Sequence, residues 1–225
     1  ARYNKDVNGF PKVERPNASS YELNEHLADL FESAMQTLDK ELTYARYQAI
    51  AYLKPEVSNG LYDNAELISR SLAGIRKNGL VKRLESSFYA FQVSLSNFRQ
   101  ANQNMLDMFN RDKVFIAPDL DINNLLESGY TDEEIEEKLN AKAEDNPKNS
   151  VFKAEDFKPE FIEMLQGDQE TLEKMCKAWE KITDADDSKF AKFNELLKHE
   201  LFKEDRNPEQ KLVVFSESVD TVKYL

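Results

Sequence analysis

The chain has 225 residues, of which 40% are hydrophobic and 11% aromatic, enough to form a buried core and to exclude wholesale disorder. Its 6 glycines and 7 prolines are too few for the frequent turns of an all-β fold. No apolar run approaches the roughly 18 residues of a membrane span, and we expect no secretory leader. The single cysteine, Cys176, excludes an internal disulfide and indicates a reducing compartment, which we expect to be the cytoplasm.

Acidic and basic residues are unevenly distributed along the chain. The formal net charge is −12, yet residues 1–118 carry 14 acidic and 15 basic side chains, a balance of +1, whereas residues 119–209 carry 26 and 13, a balance of −13. Five bases follow one another without an intervening acid: Arg70, Arg76, Lys77, Lys82 and Arg83. Such a stretch is either a solvated helix face or a local site for an anionic partner, and charge alone favours the solvated face.

The first fifty residues predict a linker, a short strand and a helix. Residues 1–17 contain Gly and Pro without a helical period and indicate an extended linker. Residues 18–23 are compatible with a short strand. Asn24 is a suitable N-cap, and the apolar residues after it recur at helical spacing, so we expect an amphipathic helix that ends near Tyr52.

A long apolar stripe follows in the middle of the chain. A second helix is expected to start near Asp63, and Gly74 and Gly79 are expected to interrupt or kink it. The stripe consists of Leu80, Leu84, Phe88, Phe91, Leu95, Phe98, Met105 and Phe109. This spacing predicts a single helix of roughly thirty residues, about 45 Å long, whose apolar face requires one or two partner helices.

The acidic second half is predicted to be helical up to a final strand. Thr131 with Glu134 forms a capping box, which opens a helix that ends near Ala143. Three further helices are expected at residues 155–166, 168–182 and 188–202. The β-branched run Leu212–Phe215 suits a buried strand, and a helix starts near Ser218. We therefore predict a mainly α fold, a multi-helix bundle with one very long helix and a minimal β element at residues 18–23 and 212–216.

Three partial motifs resemble ligand sites, but each lacks an essential feature. Gly74 and Gly79 have the spacing of a phosphate-binding loop, yet Leu80-Val81 stands where that loop needs Lys and Ser or Thr. The acids at 132–134 are explained by the dipole of a first helical turn. The oxygen ligands between residues 184 and 195 are spaced as in a calcium loop, but Lys189 replaces the required Gly. We therefore expect no catalytic residue and no metal ligand.

Two segments resemble a known family. Lys211–Leu225, read as Lys-Leu-Val-Val-Phe-Ser-Glu-Ser-Val-Asp-Thr-Val-Lys-Tyr-Leu, resembles the opening of the second RecA-like lobe of superfamily-two helicases, above all the Swi/Snf-like group. Leu80–Leu95, which contains Leu-x-Lys-Arg-Leu-Glu-Ser-Ser, two aromatic residues and Ser-Leu, is similar to bacterial Swi/Snf-like helicases that often carry a phospholipase D-like nuclease module.

This resemblance implies a fragment of a bacterial DNA helicase or translocase, located between its two motor lobes. The larger protein would use ATP and magnesium to move along double-stranded DNA, in the cytoplasm at the nucleoid. The family's phosphate loop, magnesium carboxylates and arginine finger are missing here, so we expect the fragment to hold no cofactor and to be inactive alone. The implied divisions are an inter-lobe linker at 1–17, a helical region at 18–118, an acidic helical insertion at 119–187 and the start of the second lobe at 188–225.

The resemblance also shifts the interpretation of the basic stretch toward contact with DNA. The candidate nucleic-acid-binding residues are Arg70, Arg76, Lys77, Lys82, Arg83, Ser86, Ser87, Ser216 and Glu217. The two adjacent serines would either bind backbone phosphates or bond within their own helix. The expected partners are duplex DNA and the remaining helicase lobes, with a possible homodimer through the terminal strand or the long helix.

The alternative is a helical scaffold or protein-interaction module that does not bind nucleic acid. In that case the apolar stripe would serve as a coiled-coil interface. The sequence leaves open whether the larger protein unwinds DNA or only translocates, and which pathway it serves.

Overall fold

In the computed structural model the described residues are 15–58, 60–62, 64–118, 120–127 and 131–225. Most of the predicted linker, residues 1–14, lies outside them. The described residues form nine α-helices and one two-stranded sheet, which confirms a mainly helical fold with minimal β structure. The helices are α1 Glu25–Gln36, α2 Pro55–Ser58, α3 Ala65–Ser86, α4 Phe88–Asn110, α5 Ile122–Glu127, α6 Asp132–Ala143, α7 Pro159–Trp179, α8 Ser188–Leu196 and α9 Val219–Tyr224. Shorter 3₁₀ or π-helical turns are Thr37–Glu41, Ala45–Ala51, Ala154–Asp156 and Leu197–Leu201.

The first helix begins as predicted but ends earlier. The side chain of Asn24 accepts a hydrogen bond from the Leu27 amide at 2.9 Å, as an N-cap does. Helix α1 ends at Gln36 and not near Tyr52. A π turn follows it, and Tyr44 then adopts a left-handed backbone conformation with φ of 56°. A residue in the left-handed conformation cannot continue a right-handed α-helix, so the chain changes direction at Tyr44.

The predicted very long helix is wrong, because the chain breaks at Ser87. Helix α3 ends at Ser86, Ser87 is extended (φ −159°, ψ 152°), and α4 starts at Phe88. The Ser87 hydroxyl caps α4 by accepting a hydrogen bond from the Ala90 amide. Helix α3 itself continues through Gly74 and Gly79, so the expected interruption at these glycines is also wrong.

The break explains how the apolar stripe is buried. Arg76 of α3 donates to the carbonyl of Ser94 in α4 at 3.0 Å, so the two helices fold back on each other. The two halves of the stripe thereby face one another, and Leu80 and Leu95 are both fully buried. The stripe is covered within the chain and is not free to form the coiled-coil or long-helix dimer interface considered above.

Helix α7 replaces two predicted helices. Residues 155–166 and 168–182 were expected to be separate, but α7 runs continuously past Gly167. The lack of a side chain at Gly167 weakens a helix only modestly, and the apolar face on both sides packs against α4. The helices expected after Thr131 and near Ser218 are confirmed as α6 and α9. The helix expected at 188–202 starts as predicted, but α8 ends at Leu196 and a π turn follows it to Leu201.

Helices α4 and α7 run antiparallel through the middle of the molecule. Gln92 near the start of α4 donates to the carbonyl of Trp179 at the end of α7, at 2.6 Å. Asn102, further along α4, donates to the carbonyl of Leu165 at 2.9 Å. Both helices therefore supply residues to both parts of the core. One part contains Met105, Phe109, Phe161 and Leu165, and the other contains Phe91, Phe98, Leu172 and Trp179.

The sheet lies elsewhere than predicted. Strand β1, Val114–Ile116, pairs antiparallel with β2, Ser150–Phe152. Residues 18–23 are irregular and mostly exposed, and residues 212–216 form no strand. Phe215 is 92% exposed. The predicted positions are therefore wrong: a β-prone run becomes a strand only where a neighbouring chain segment satisfies its backbone groups, and no described segment does so for residues 212–216.

Candidate nucleic-acid interface

Arg76 and Lys77 are occupied by contacts within the protein. In addition to its bond to Ser94, the Arg76 guanidinium lies over the Phe98 ring at 5.0 Å, and burial lowers its pKa. Lys77 forms an ion pair with Asp39, and this hydrogen bond holds the pKa of the Asp39 carboxyl below its usual range. Arg70 is exposed nearer the start of α3. The five bases of the stretch therefore do not form one continuous open surface.

Lys82 and Arg83, by contrast, lie beside the C-terminal segment. Lys82 Nζ is 3.0 Å from the Glu217 carboxylate, and Arg83 Nη1 donates to the Glu217 carbonyl at 3.2 Å. The two partners of the ion pair are separated by 135 residues in the sequence. The structure thus brings together three of the candidate residues that the sequence placed in two distant segments.

A cluster of hydroxyl groups joins the same two segments below this ion pair. Thr221 Oγ1 shares hydrogen bonds with Ser86 Oγ at 2.8 Å and with Ser87 Oγ at 2.9 Å. Ser216 Oγ lies 3.5 Å from Ser86 Oγ and accepts from the Ser218 amide. Ser218 in turn caps α9 by accepting from the Thr221 amide. We call Ser86, Ser87, Ser216, Ser218 and Thr221 the hydroxyl cluster.

Both serines of the middle segment already have partners in this cluster. Ser87 is buried and Ser86 is partly buried. Both hydroxyls bond Thr221 across the two segments, and the Ser87 hydroxyl also bonds locally to the Ala90 amide of α4. They are therefore positioned to join α3, α4 and α9 at one point.

Lys189 was not among the predicted site residues, although it holds this arrangement from the side of α8. Its ammonium group donates to the carbonyls of Glu85 and Ser86 at 2.8 Å each. These carbonyls stand at the C-terminal end of α3, where a positive charge is favourable. In the sequence Lys189 appeared only as the residue that disqualifies a calcium loop, and no local pattern indicates its contact with α3.

Asp187 and Tyr224 form a further contact between α8 and α9 that sequence reasoning missed. Asp187 caps α8 by accepting from the Phe190 amide, and it also accepts from the Tyr224 hydroxyl at 3.3 Å. Burial, followed by the charge of Asp187, raises the pKa of Tyr224, so the phenol stays protonated and can donate. The Tyr224 ring stacks on Tyr89 with centroids 5.2 Å apart.

These contacts surround an open cavity of about 510 Å³. Its lining combines the bases Lys82 and Lys189 with the acids Glu85, Asp187 and Glu217, together with serine hydroxyls and the exposed Phe215. Among the described residues no group of three or more His, Cys, Asp or Glu side chains could hold a metal ion. The described side chains around the cavity form ion pairs and hydrogen bonds with one another.

Two of the partial motifs have structural roles among the described residues. Thr131 and Glu134 form the predicted capping box at the start of α6. In the calcium-like stretch, Asp186 accepts hydrogen bonds from the amide and the hydroxyl of Thr183.

No described helix is long and apolar enough to cross a membrane. Comparison with protein-family models, curated proteins and solved structures found no match to this chain.

Proposed function

We propose that this chain is the helical inter-lobe region of an ATP-dependent DNA helicase or translocase, and that it contacts the DNA backbone through Lys82 and Arg83. The observation that supports the proposal is the contact between the two family-like segments. The middle segment carries Lys82, Arg83 and the serine pair, and the C-terminal segment carries Glu217 and Thr221. These side chains meet although 134 or 135 residues separate them.

This contact is suited to holding the helical region against the second motor lobe. If Lys211–Leu225 begins the second motor lobe, the hydroxyl cluster attaches the helical region to that lobe at the turn between α3 and α4. Buried, mutually satisfied hydroxyls fix relative positions, because each would lose its partner on separation. A movement of the lobe during the ATP cycle would then be transmitted to α3 and α4, which carry the basic residues.

Binding of labelled duplex DNA to the 225-residue chain tests the DNA contact. We compare the unmodified chain with the double variant K82Q/R83Q at low and moderate salt. We expect the variant to bind about fivefold to tenfold more weakly, with a salt dependence shallower by about two, one for each lost phosphate contact. Arg76 and Lys77 are left intact because their substitution would disturb contacts inside the protein.

The control is K177Q/K181Q, which removes the same charge from two exposed lysines at the end of α7 and just beyond it. The proposal expects this control to bind DNA nearly as the unmodified chain does. Equal and negligible binding by all three proteins would contradict the DNA contact and leave the interaction module as the remaining interpretation.

The gene that encodes the chain tests the family. The proposal expects a phosphate-binding loop encoded upstream and an arginine-bearing motif encoded downstream, which together would bind ATP and magnesium in the larger protein. A gene without either element would contradict the helicase assignment, whatever the chain itself binds.

A further inference from the structure

We infer that the Glu217 carboxylate is a resident anion on Lys82, which a DNA phosphate must replace, so that this side chain gates the access of DNA to Lys82. The inference rests on the proposed function and adds the regulation of that site. It is carried by the geometry at Glu217, by the exposure of the ion pair and by the buried anchoring of the residues around it.

Glu217 occupies both bases at once. Its carboxylate lies 3.0 Å from Lys82 Nζ, and its backbone carbonyl accepts from Arg83 Nη1 at 3.2 Å. A phosphodiester would offer the same bases two anionic oxygens at similar distances. At Lys82 the carboxylate therefore stands where a phosphate would bind, and its charge repels an approaching DNA strand until it moves away.

The ion pair is open to exchange. The Lys82 side chain is 64% exposed and that of Glu217 is 78% exposed. Exposed pairs of this kind are only weakly stabilising, because water and salt screen them. A DNA backbone, which presents many phosphates and releases counterions on binding, competes well against a single carboxylate.

The surrounding segment can stay in place while Glu217 leaves. Ser87, Ser218 and Thr221 are buried, and they bond to each other across the junction of α3, α4 and α9. Only the exposed side chain of Glu217 has to rotate to free Lys82. Glu217 thus acts as a local gate, and opening it does not require α9 to detach.

The test is duplex binding by E217Q in the full 225-residue chain. Glutamine retains the size and the backbone carbonyl but removes the competing charge. We expect affinity for DNA to rise by about threefold to fivefold at low salt, the range for release of one exposed ion pair. We also expect the salt dependence to steepen by about one, for one more phosphate contact.

Two controls distinguish gating by Glu217 from the general effect of removing one negative charge. E209Q removes one negative charge from the exposed Lys211–Glu209 pair nearby and should change affinity little. In the K82Q/R83Q background, E217Q should have no effect, because Lys82, the base that it frees, is gone.

An equal gain from E209Q, an undiminished gain in the K82Q/R83Q background, or no gain from E217Q while the unmodified chain binds DNA would each overturn the gate alone. Absence of binding by both the unmodified chain and E217Q would overturn the gate and the DNA contact together.

Discussion

Asp168 shows how much one buried carboxylate determines at the scale of a residue. It lies on α7, yet its two oxygens accept hydrogen bonds from the amides of Thr43 at 2.7 Å and Ala45 at 2.8 Å. These amides flank the left-handed turn at Tyr44, whose backbone would otherwise bury unsatisfied donors. Nothing in the sequence distinguishes Asp168 from the other 41 acidic residues, because its partners are more than 120 positions away.

We predict that D168A destabilises the protein by about 2 to 3 kcal/mol at neutral pH, because two amides lose their acceptor in a buried environment. Urea denaturation measures the loss. E163A serves as the control, since Glu163 is exposed on the same helix and should change the free energy of unfolding by less than about 0.5 kcal/mol. Similar losses in both variants would contradict the role given to Asp168.

The pH dependence of the stability lost in D168A tests whether the Asp168 carboxyl causes the loss. Burial raises the pKa of Asp168 more than its backbone hydrogen bonds lower it. The native protein therefore holds this proton more tightly than the unfolded chain does, and the contribution of Asp168 to stability falls as pH rises from the ordinary aspartate pKa through the raised one. The difference in unfolding free energy between the unmodified chain and D168A should therefore become smaller as pH rises over that interval. A difference that becomes larger would contradict this prediction.

At the scale of the element, Ser87 decides between one helix and two. Its hydroxyl caps α4 through the Ala90 amide at 3.1 Å and bonds Thr221 at 2.9 Å. The apolar spacing continues through this position, which is why a single helix was expected. A serine pair directly before an aromatic run is itself an N-cap signal, so the break could have been recognised in the sequence.

The two interpretations of this region predict opposite effects of S87A. In a continuous helix alanine would stabilise by up to about 0.5 kcal/mol, because it is the better helix former. At the observed turn we expect a loss of about 1 to 2 kcal/mol from the missing cap, together with faster amide exchange in α9. S96A, at an exposed position inside α4, controls for helix propensity, and a gain in stability from S87A would refute the turn.

At the scale of the whole molecule, α4 and α7 join the two parts of the core. Phe161 near the start of α7 belongs to one part, and Trp179 at its end belongs to the other. Trp179 is the single tryptophan, and it contacts Phe88 and Phe91 edge to face. Its fluorescence therefore reports on the second part of the core only.

We predict that F161A lowers the stability measured at Trp179 by about 3 to 5 kcal/mol, because a cavity in one part of the core weakens the cooperative whole. Denaturation followed by tryptophan fluorescence and by circular dichroism should give coincident transitions. F202A, which truncates a side chain that is 38% exposed, should shift them little. An unchanged fluorescence transition in F161A would mean that the two parts unfold independently.

Features that depend only on residues close together in the sequence could be predicted from it. Asn24 and Thr131 cap helices as expected, and a helix starts next to Ser218, because a cap is satisfied within three residues of itself. The mainly helical fold also follows from the spacing of apolar residues, since each helix satisfies its own backbone and needs a partner only for its apolar face. The sequence by itself thus determined the class of the fold and most helix starts.

The tertiary structure decided which distant segments meet. A strand needs a partner, so the sheet formed at residues 114–116 and 150–152 and not at 18–23 or 212–216. The contact of Lys82 with Glu217 spans 135 residues, and only folding shows that a candidate DNA-binding lysine is paired with an acid. Helical periodicity specifies an apolar face but not what covers it, because burial depends on every segment that competes for the same surface.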